Sequence, residues 1–385
     1  MARMYIPTIL LYGSDSLLDL HKEHLPFKKA LVVTTNGTSF IKYGYLDKVI
    51  NELKLANIEV IVFSKILQNP IKEHVMEGAA IAKLNGCDVI VGLGGGSPID
   101  SSKSIAVMAT NPGDYWDYIS GGSGLGKPLV NKPLPVIAIT TTAGTGTEAD
   151  PFTVITNGTE KIGFGDDTTY PYISVCDPKL MLTVPKDLTL FQAFDALFHS
   201  LEGFINISHN DLNDAFSRQA ISLIYKNLPL VMKDLNNLKA REGVALANTL
   251  SGMNESTSGC TGEHSIEHAL SGISPNLVHG KGLIIISLAY YELIIKKGIA
   301  HDRFIELAAL MGFEKPTKPE DFLTALKEFE ESLDVTKYNL ETEGFKKEQF
   351  EEIALHALKT MPGCFAADPH DWTVEDIVEV LEKSF

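Results

Sequence analysis

The sequence predicts two domains, an α/β domain built on a parallel sheet and then an all-α domain. The chain has 385 residues, a length that suits two hydrophobic cores better than one. Strand-like and helix-like segments alternate in the first half, and strand-like runs largely disappear after Pro185. We therefore expect residues 1–184 to form the α/β domain and residues 185–385 to form the helical domain.

Short β-branched runs in the first half have the composition of buried parallel strands. These runs begin at Lys29, Glu59, Cys87 and Pro135. Between them, residues 45–56 and 71–84 place apolar side chains at the three- and four-residue steps of a helix. Strands and helices in alternation indicate a doubly wound sheet, on which ligands bind at the carboxyl ends of the strands.

Stretches with helical periodicity dominate the second half of the chain. We expect helices over residues 188–207, 211–228, 240–254, 264–270, 281–296, 301–311, 318–333 and 347–359. Because strand-like runs are scarce among them, they indicate a domain without a major sheet.

The composition disfavours several classes of partner and location. The net charge of −16 argues against binding to nucleic acid or to anionic membrane surfaces. The longest apolar stretch, residues 283–295, is shorter than the ~20 residues that a membrane helix needs. The four cysteines have no paired spacing that would indicate disulfides or a zinc site. We expect a cytoplasmic protein with reduced thiols.

A glycine-rich turn follows the third predicted strand. Gly94, Gly95 and Gly96 lack a Cβ, so their N–H groups can approach a phosphate at the start of a helix. Ser97 is expected to cap that helix, and Asp100 to complete a near capping box. The turn matches neither the G-x-G-x-x-G fingerprint nor a P-loop, so a phosphate cradle and a purely structural turn are both open.

A second turn of small residues, over residues 140–148, follows the fourth predicted strand. Hydroxyls such as those of Thr141, Thr142 and Thr145 could hydrogen-bond a cofactor, although a plain surface turn explains this segment alone equally well. Two such turns at neighbouring strand ends favour one extended nucleotide as the ligand.

Acidic and histidine residues at helical spacing form the most specific pattern. Asp195 and His199 are four residues apart, as are His264 and His268, and His279 follows. Residues at this spacing share one face of a helix. Imidazole and carboxylate are suitable ligands for Fe(II) or Zn(II). Each histidine alone is more often an ordinary interior or surface residue, but the set indicates a metal site.

Together these motifs resemble the iron-containing (group III) alcohol dehydrogenases. The resemblance runs over essentially the whole chain and rests on residues 94–100, 141–148, 195–202, 264–268 and 279–280, in that family's order. It implies a Rossmann-like dinucleotide-binding domain, a helical domain in a dehydroquinate synthase-like architecture, a divalent metal, and a homodimer. The metal ligands that it implies are Asp195, His199, His264 and His279. His268 corresponds to a histidine that lies near the metal without binding it, and we expect it to be catalytic.

Three departures from the family's usual pattern are visible. Gln192 and Ala193 stand where Thr-Gly is usual before the metal aspartate, a change expected to affect packing more than ligation. The interval from His264 to His279 is one residue longer than common, so the loop expected to carry His279 could be shifted. Thr35 stands where many NAD-dependent members have an aspartate after the first cofactor-domain strand.

The third departure bears on the choice of cofactor. An aspartate would repel a 2′-phosphate, whereas Thr35 and residues 36–39 offer hydroxyl and backbone donors. We therefore expect NADP(H) rather than NAD(H), with tolerance of both as the alternative. The full set of expected cofactor-binding residues is Thr35, Asn36, Gly37, Asn69, Gly94, Gly95, Gly96, Ser97, Asp100, Thr141, Thr142, Thr145, Lys161 and Leu180.

The expected activity is hydride transfer between NADP(H) and a primary alcohol or its aldehyde, with the substrate oxygen on Fe(II) or Zn(II). A dehydroquinate synthase-like lyase or a polyol(-phosphate) dehydrogenase is the alternative on the same architecture. The phosphorylated substrate of such a lyase needs several basic residues, and Lys281 alone lies near the metal residues in sequence. The non-enzymatic alternative is a regulatory protein that binds metal and nucleotide.

Overall fold

The computed structural model describes residues 3–385, which divide into two compact units. One unit contains Met4–Gly158 and Ile162–Pro185, and the other contains Lys186–Phe385 together with Arg3 and Thr159–Lys161. The main change of unit, after Pro185, is one residue from the expected boundary. The sequence gives no sign that residues 159–161 belong with the helical unit.

The strands of the described chain form one six-stranded sheet and one two-stranded sheet. They are β1 (Ile9–Tyr12), β2 (Lys29–Thr35), β3 (Glu59–Ile66), β4 (Val89–Gly94), β5 (Val136–Thr140), β6 (Phe152–Asn157), β7 (Glu160–Gly165) and β8 (Ile173–Cys176). The larger sheet has the order β1-β8-β5-β4-β2-β3 and every pairing in it is parallel. β6 and β7 form the smaller sheet.

A row of apolar residues crosses the centre of the larger sheet. Val32 pairs with Val91, Val91 with Ile137, and Ile137 with Ile173, and all four are fully buried. Burial of such a side chain contributes about 1.5–3 kcal/mol, so this row fixes the register of the neighbouring strands. The parallel register brings the carboxyl ends of β2, β4 and β5 to one edge.

The first unit also contains α1 (Ser39–Lys42), α2 (Tyr45–Leu55), α3 (Lys72–Asn85) and α4 (Gly96–Thr110). The prediction that Ser97 caps α4 is wrong. Gly95 is the N-cap residue and no side chain caps the helix, because the Ser97 hydroxyl donates instead to the carbonyl oxygen of Gln68. The Asp100 carboxylate likewise accepts its hydrogen bonds from donors outside α4.

The second unit is helical over Lys186–Phe385. Its helices are α5 (Lys186–Ile205), α6 (Asp211–Lys233), α7 (Leu238–Ser258), α8 (Gly262–Ile273), α9 (His279–Lys296), α10 (His301–Leu310), α11 (Glu320–Ser332), α12 (Phe350–Thr360), α13 (Pro362–Ala367) and α14 (Val374–Lys383). The expectation of a loop carrying His279 is wrong, because His279 is the first residue of α9. Between residues 3 and 385, no helix combines the length and apolar character needed to cross a bilayer.

Candidate functional site

Three helices of the second unit carry the expected metal residues. Asp195 and His199 lie on α5, His264 on α8, and His279 begins α9. Helix α9 packs against both α5 and α8. At Gly280 the backbone of α9 approaches α5 so closely that a Cβ there would lie 1.9 Å from the carbonyl oxygen of Phe191. The glycine after His279 therefore permits the approach that brings His279 to Asp195.

The three expected histidine ligands lie near Asp195, and the ligand atoms of Asp195, His264 and His279 all lie within 4.8 Å of one another. Asp195 Oδ1 lies 3.8 Å from His199 Nε2, 3.5 Å from His264 Nε2 and 3.4 Å from His279 Nε2. Two ligand atoms that each lie about 2.1 Å from a tetrahedral metal ion are about 3.4 Å apart. The distances from Asp195 therefore match the spacing of ligands around a single ion.

Buried polar atoms without partners show that these residues fit a cation. Asp195 and His264 are each only 3% exposed. Within the described chain, neither Asp195 Oδ1 nor His264 Nε2 has a hydrogen-bond partner. A buried, unpartnered carboxylate oxygen is costly, and a divalent cation bound by oxygen and nitrogen donors would remove that cost.

The pKa shifts in this cluster follow from burial and from the neighbouring charges. Burial by itself raises the pKa of Asp195, but positive charge on His199 and His279 outweighs it, and the pKa lies well below its ordinary value. Burial lowers the pKa of His199 to about 4, although Asp195 opposes this shift. At neutral pH the two groups are thus a carboxylate and a neutral imidazole, the forms that bind metals.

Two glutamates to which the sequence assigned no role form hydrogen bonds with two of the histidines, at the ring nitrogen that faces away from Asp195. His264 Nδ1 is hydrogen-bonded to Glu202, and His279 Nδ1 to Glu267. Both glutamate side chains are fully buried. A carboxylate on Nδ1 fixes the tautomer in which Nε2 is free to bind a metal.

The helical spacing contains a partial signal for these glutamates. Glu202 follows His199 by three residues and Glu267 follows His264 by three, so each lies near the expected ligands of its own helix. Glu202, however, pairs with a histidine of α8 and Glu267 with a histidine of α9. Spacing within one helix does not reveal such partners.

His268 lies beside the cluster on α8. Its ring centroid is 5.2 Å from that of His279 and 6.3 Å from that of His264. It is 4% exposed, and its Nδ1 has no hydrogen-bond partner among residues 3–385. Burial, and then the positive charge of Lys161, hold the pKa of His268 well below its ordinary value. His268 is therefore neutral at pH 7.

Lys161, expected among the cofactor contacts, lies at the metal residues. Its ammonium donates to Ser271 Oγ at 2.9 Å and lies 3.4 Å from Glu267 Oε2 and 3.3 Å from His279 Nδ1. Its side chain is 6% exposed. Within the helical unit Lys161 thus belongs to the surroundings of His279, and its contact with a cofactor stays a prediction.

The other expected cofactor residues lie in the first unit, where they follow the carboxyl ends of parallel strands. Each strand among β2, β3, β4, β5 and β8 is followed by members of the set. Thr35 ends β2, and Gly94 ends β4 opposite Thr140 of β5. Asn69 follows β3, and Leu180 lies in the short 3₁₀ helix after β8. Ligands of doubly wound sheets bind at this edge.

The two turns of small residues pack directly against each other. A Cβ on Gly95 would lie 2.6 Å from Thr142 Oγ1, and one on Gly96 would lie 2.6 Å from Thr145 Cγ2. The backbone N–H of Thr141 donates to the carbonyl oxygen of Gly94 at 2.8 Å. Glycine is therefore required for this contact, and the first N–H groups of α4 are left without a side-chain cap, as an anion site needs.

Asp100 has a structural role in this unit. Its Oδ1 accepts from the Thr147 hydroxyl at 2.6 Å and its Oδ2 from the backbone N–H of Val154 at 2.9 Å. Burial raises its pKa to about 6, although the charge of Lys103 opposes the shift. Both oxygens thus serve the protein's own donors, and a contact between Asp100 and a cofactor stays a prediction.

The chain belongs to the iron-containing alcohol dehydrogenase family. The family described as iron-containing alcohol dehydrogenase matches residues 7–178, and the Fe-containing alcohol dehydrogenase family, C-terminal, matches residues 189–385. This membership confirms the resemblance and, with the observed sheet and helices, the expected fold class. It supports an alcohol-dehydrogenase oxidoreductase with a nucleotide and a metal cofactor.

Individual relatives agree with this assignment. The chain is 32% identical to the 1,3-propanediol dehydrogenase of Citrobacter freundii, over 99% of this chain and 98% of that protein. It is 30% identical to the NAD-dependent methanol dehydrogenase of Bacillus methanolicus over the whole of both chains. The crystal structure of an archaeal halo-thermophilic alcohol dehydrogenase from a Red Sea brine pool matches with a TM-score of 0.95 and 31% identity, covering 100% of this chain and 99% of that one.

Proposed function

We propose that this protein transfers a hydride between NADP(H) and a short or medium primary alcohol, or reduces the corresponding aldehyde. The observation that carries the proposal is the convergence of three histidine Nε2 atoms on Asp195 Oδ1, a buried carboxylate oxygen without a partner in residues 3–385. Relatives named for 1,3-propanediol and methanol support a small alcohol as substrate.

Asp195 and the three histidines would hold Fe(II), with Zn(II) as the alternative. When bound, such a cation is a Lewis acid that polarises a carbonyl and lowers the pKa of an alcohol. Asp195 contributes the negative charge of the donor set, and Glu202 and Glu267 orient two of the imidazoles. The burial of Asp195, His199 and His264 limits access of bulk water, which strengthens these electrostatic interactions.

We assign transfer of the hydroxyl proton to His268. Its imidazole is neutral at pH 7 and therefore has a nitrogen that can accept a proton. The lowered pKa means that His268 releases the proton again rather than retaining it. The centroid of its ring lies 5.2 Å from that of His279 and 6.3 Å from that of His264. His268 is therefore adjacent to two of the proposed metal ligands.

The preference for NADP(H) is supported by the surroundings of Thr35. Residues 34–46 contain no Asp or Glu. Asn36, Gly37, Thr38 and Ser39 are exposed, so the side-chain donors of Asn36, Thr38 and Ser39 are accessible to a 2′-phosphate. Relatives named as NAD- or NADH-dependent make this a property to be tested on this chain.

Steady-state kinetics with NADPH and NADH test the cofactor proposal. We expect kcat/KM at least about tenfold higher with NADPH, and Thr35→Asp should reverse the preference because a carboxylate repels the 2′-phosphate. Thr35→Val is the matched control, since it removes the hydroxyl without adding charge and should retain the preference. Kinetics of the unchanged protein that favour NADH tenfold would refute NADP(H) selectivity.

The activity itself is tested by removing and restoring the metal. The chain is stripped with a chelator, reloaded with Fe(II) or Zn(II), and assayed for NADPH oxidation with a panel of aldehydes. Turnover that returns with one of the metals supports the proposal. Absence of turnover over a broad panel, despite a bound metal, would favour a regulatory protein.

We also propose a cytoplasmic homodimer as the working form. The four cysteines are thiols outside any disulfide, which suits a reducing compartment, and the dimer rests on the family resemblance. Light scattering after gel filtration measures the mass directly, and a monomer of 42.0 kDa would contradict the dimer.

A further inference from the structure

The two histidines with carboxylate partners differ in what else contacts those partners. Glu202, which holds His264, accepts from the backbone N–H of Thr261 and from its hydroxyl at 2.8 Å. Glu267, which holds His279, lies 3.4 Å from the ammonium of Lys161. One pair therefore has neutral donors around it, and the other has a buried cation.

Lys161 competes with Glu267 for His279. The Lys161 ammonium lies 3.3 Å from His279 Nδ1, the same atom that is hydrogen-bonded to Glu267. A buried ammonium requires acceptors, and an unprotonated Nδ1 is one. His279 Nδ1 thus lies within reach of both an acceptor and a donor, which are 3.4 Å from each other, and the proton on its ring decides which of them it bonds.

The choice of tautomer determines whether His279 can bind a cation. With the proton on Nδ1, the ring donates to Glu267 and Nε2 is free to bind the metal. With Lys161 donating to Nδ1, the proton lies on Nε2, the atom 3.4 Å from Asp195 Oδ1. A proton in that position blocks ligation, because a metal-binding imidazole nitrogen must be unprotonated.

We propose that Glu267 is a positioning residue that selects the metal-binding tautomer of His279 against Lys161. The proposal rests on the metal site put forward above. It assigns Glu267 a role through His279 only. It gives Lys161 a function at this site that needs no contact with the nucleotide.

The affinity of the metal-stripped protein for Zn(II), measured against a chromophoric chelator at pH 7.5, tests the proposal without any assay of turnover. Loss of such an outer-shell partner typically costs 10–100-fold in metal affinity, and we expect Glu267→Ala to lose about that much. Glu267→Gln keeps a carbonyl oxygen that accepts from Nδ1–H, so we expect a loss of only about threefold. If Glu267→Gln binds as weakly as Glu267→Ala, charge rather than the tautomer is decisive, and the proposal fails.

A second substitution at Lys161 separates competition from simple loss of a contact. In Glu267→Ala with Lys161→Met no donor remains to hold Nδ1, and we expect at least about a tenfold regain over Glu267→Ala alone. Glu202→Ala is the matched control, because Lys161 contacts Glu267 and not the pair formed by Glu202 and His264 in the described chain. Adding Lys161→Met to Glu202→Ala should therefore restore no metal affinity. Absence of regain at Glu267, or equal regain at Glu202, overturns the proposal.

Nitrogen NMR of the metal-free, ¹⁵N-histidine-labelled protein reads the tautomer itself. We expect His279 to carry its proton on Nδ1 in the unchanged protein and on Nε2 in Glu267→Ala, and the same tautomer in both would refute the proposal. Failure of the unchanged protein to bind Zn(II) or Fe(II) would overturn the metal site itself and this inference with it. Normal binding that none of the variants alters would overturn the inference alone.

Discussion

Two clusters of buried charged side chains, one in each unit, differ in whether the protein supplies hydrogen-bond partners for the charged group. In the first unit the Lys103 ammonium is fully buried and donates to Thr147 Oγ1, Asp150 Oδ1 and the carbonyl oxygens of Asp150 and Phe152, all within 3.0 Å. In the helical unit Asp195 is as deeply buried, but its Oδ1 has no partner in the described chain.

The difference separates a structural network from a binding site. Lys103 has a protein acceptor for each of its protons, so the network joins α4 to residues 147–152 without any ligand. In the cluster around Asp195, the ligand atoms of Asp195, His264 and His279 lie close enough together to hold a metal ion, and Asp195 Oδ1 has no partner among the described residues. Buried charge marks a functional site where its partners are missing, and burial alone does not.

The largest expected effect comes from removing the Asp195 carboxylate. Asp195→Ala should reduce bound metal from near one per chain to below about 0.1, and kcat/KM should fall at least about 10³-fold because the donor set loses its negative charge. Elemental analysis and kinetics measure both quantities. Asp187→Ala, an exposed aspartate on the same helix, is the control. Full metal content in Asp195→Ala would show that Asp195 is not a ligand.

Removing the centre of the complete network should affect stability and leave metal binding intact. Lys103→Met leaves Asp150 as an uncompensated buried charge, which typically costs about 3–5 kcal/mol in the free energy of unfolding. Thermal unfolding should show a melting temperature lower by about 10 °C. Lys65→Met, which breaks an exposed pair with Glu77, should change the melting temperature little. Unchanged stability would contradict the structural reading of this network.

A third variant separates ligands from non-ligands within the cluster. His268→Ala should lower kcat about 10²-fold by removing the proposed proton-transfer group, while metal content stays near one per chain. The same elemental analysis and kinetics measure these changes. Loss of metal in this variant would instead place His268 among the ligands.

The last expected effect concerns Glu330 of α11, a buried carboxyl with one hydroxyl donor, Ser287. Burial raises its pKa from 4.5 to about 8, so the folded state binds more protons than the unfolded state between those values. Stability is therefore fully present below about pH 4.5 and is lost as the pH rises through about 8.

The stability loss at Glu330 should amount to about 1 kcal/mol per pH unit over that window. Glu330→Gln keeps a similar shape without the titrating group, so its free energy of unfolding should vary less with pH. Urea unfolding from pH 5 to pH 9 measures the difference between the two proteins. Parallel pH profiles would show that Glu330 does not titrate with folding.

Much of the fold was predictable because its signals are local. The runs beginning at Lys29, Glu59 and Pro135 became β2, β3 and β5, and the expected helix over residues 211–228 became part of α6. Strands β1 and β8 have four residues each, too few to show a period. Ser97 matched the preference for a helix cap, but a carbonyl of another loop took its hydroxyl. Helix-cap propensity is a local property and does not account for a competing acceptor 29 residues away in the chain.

The amino-acid sequence by itself determined the donor types and their helical spacing, since the chemistry of Asp and His and the pitch of a helix are local properties. It also determined the strand ends at which small residues collect. Only the tertiary structure decided that His279 meets Asp195, that Glu202 and Glu267 stand behind histidines of other helices, and that Lys161 lies beside Glu267. These contacts join residues up to 106 positions apart, and the packing of α9 against α5 and α8 creates the ones at Asp195, Glu267 and His279.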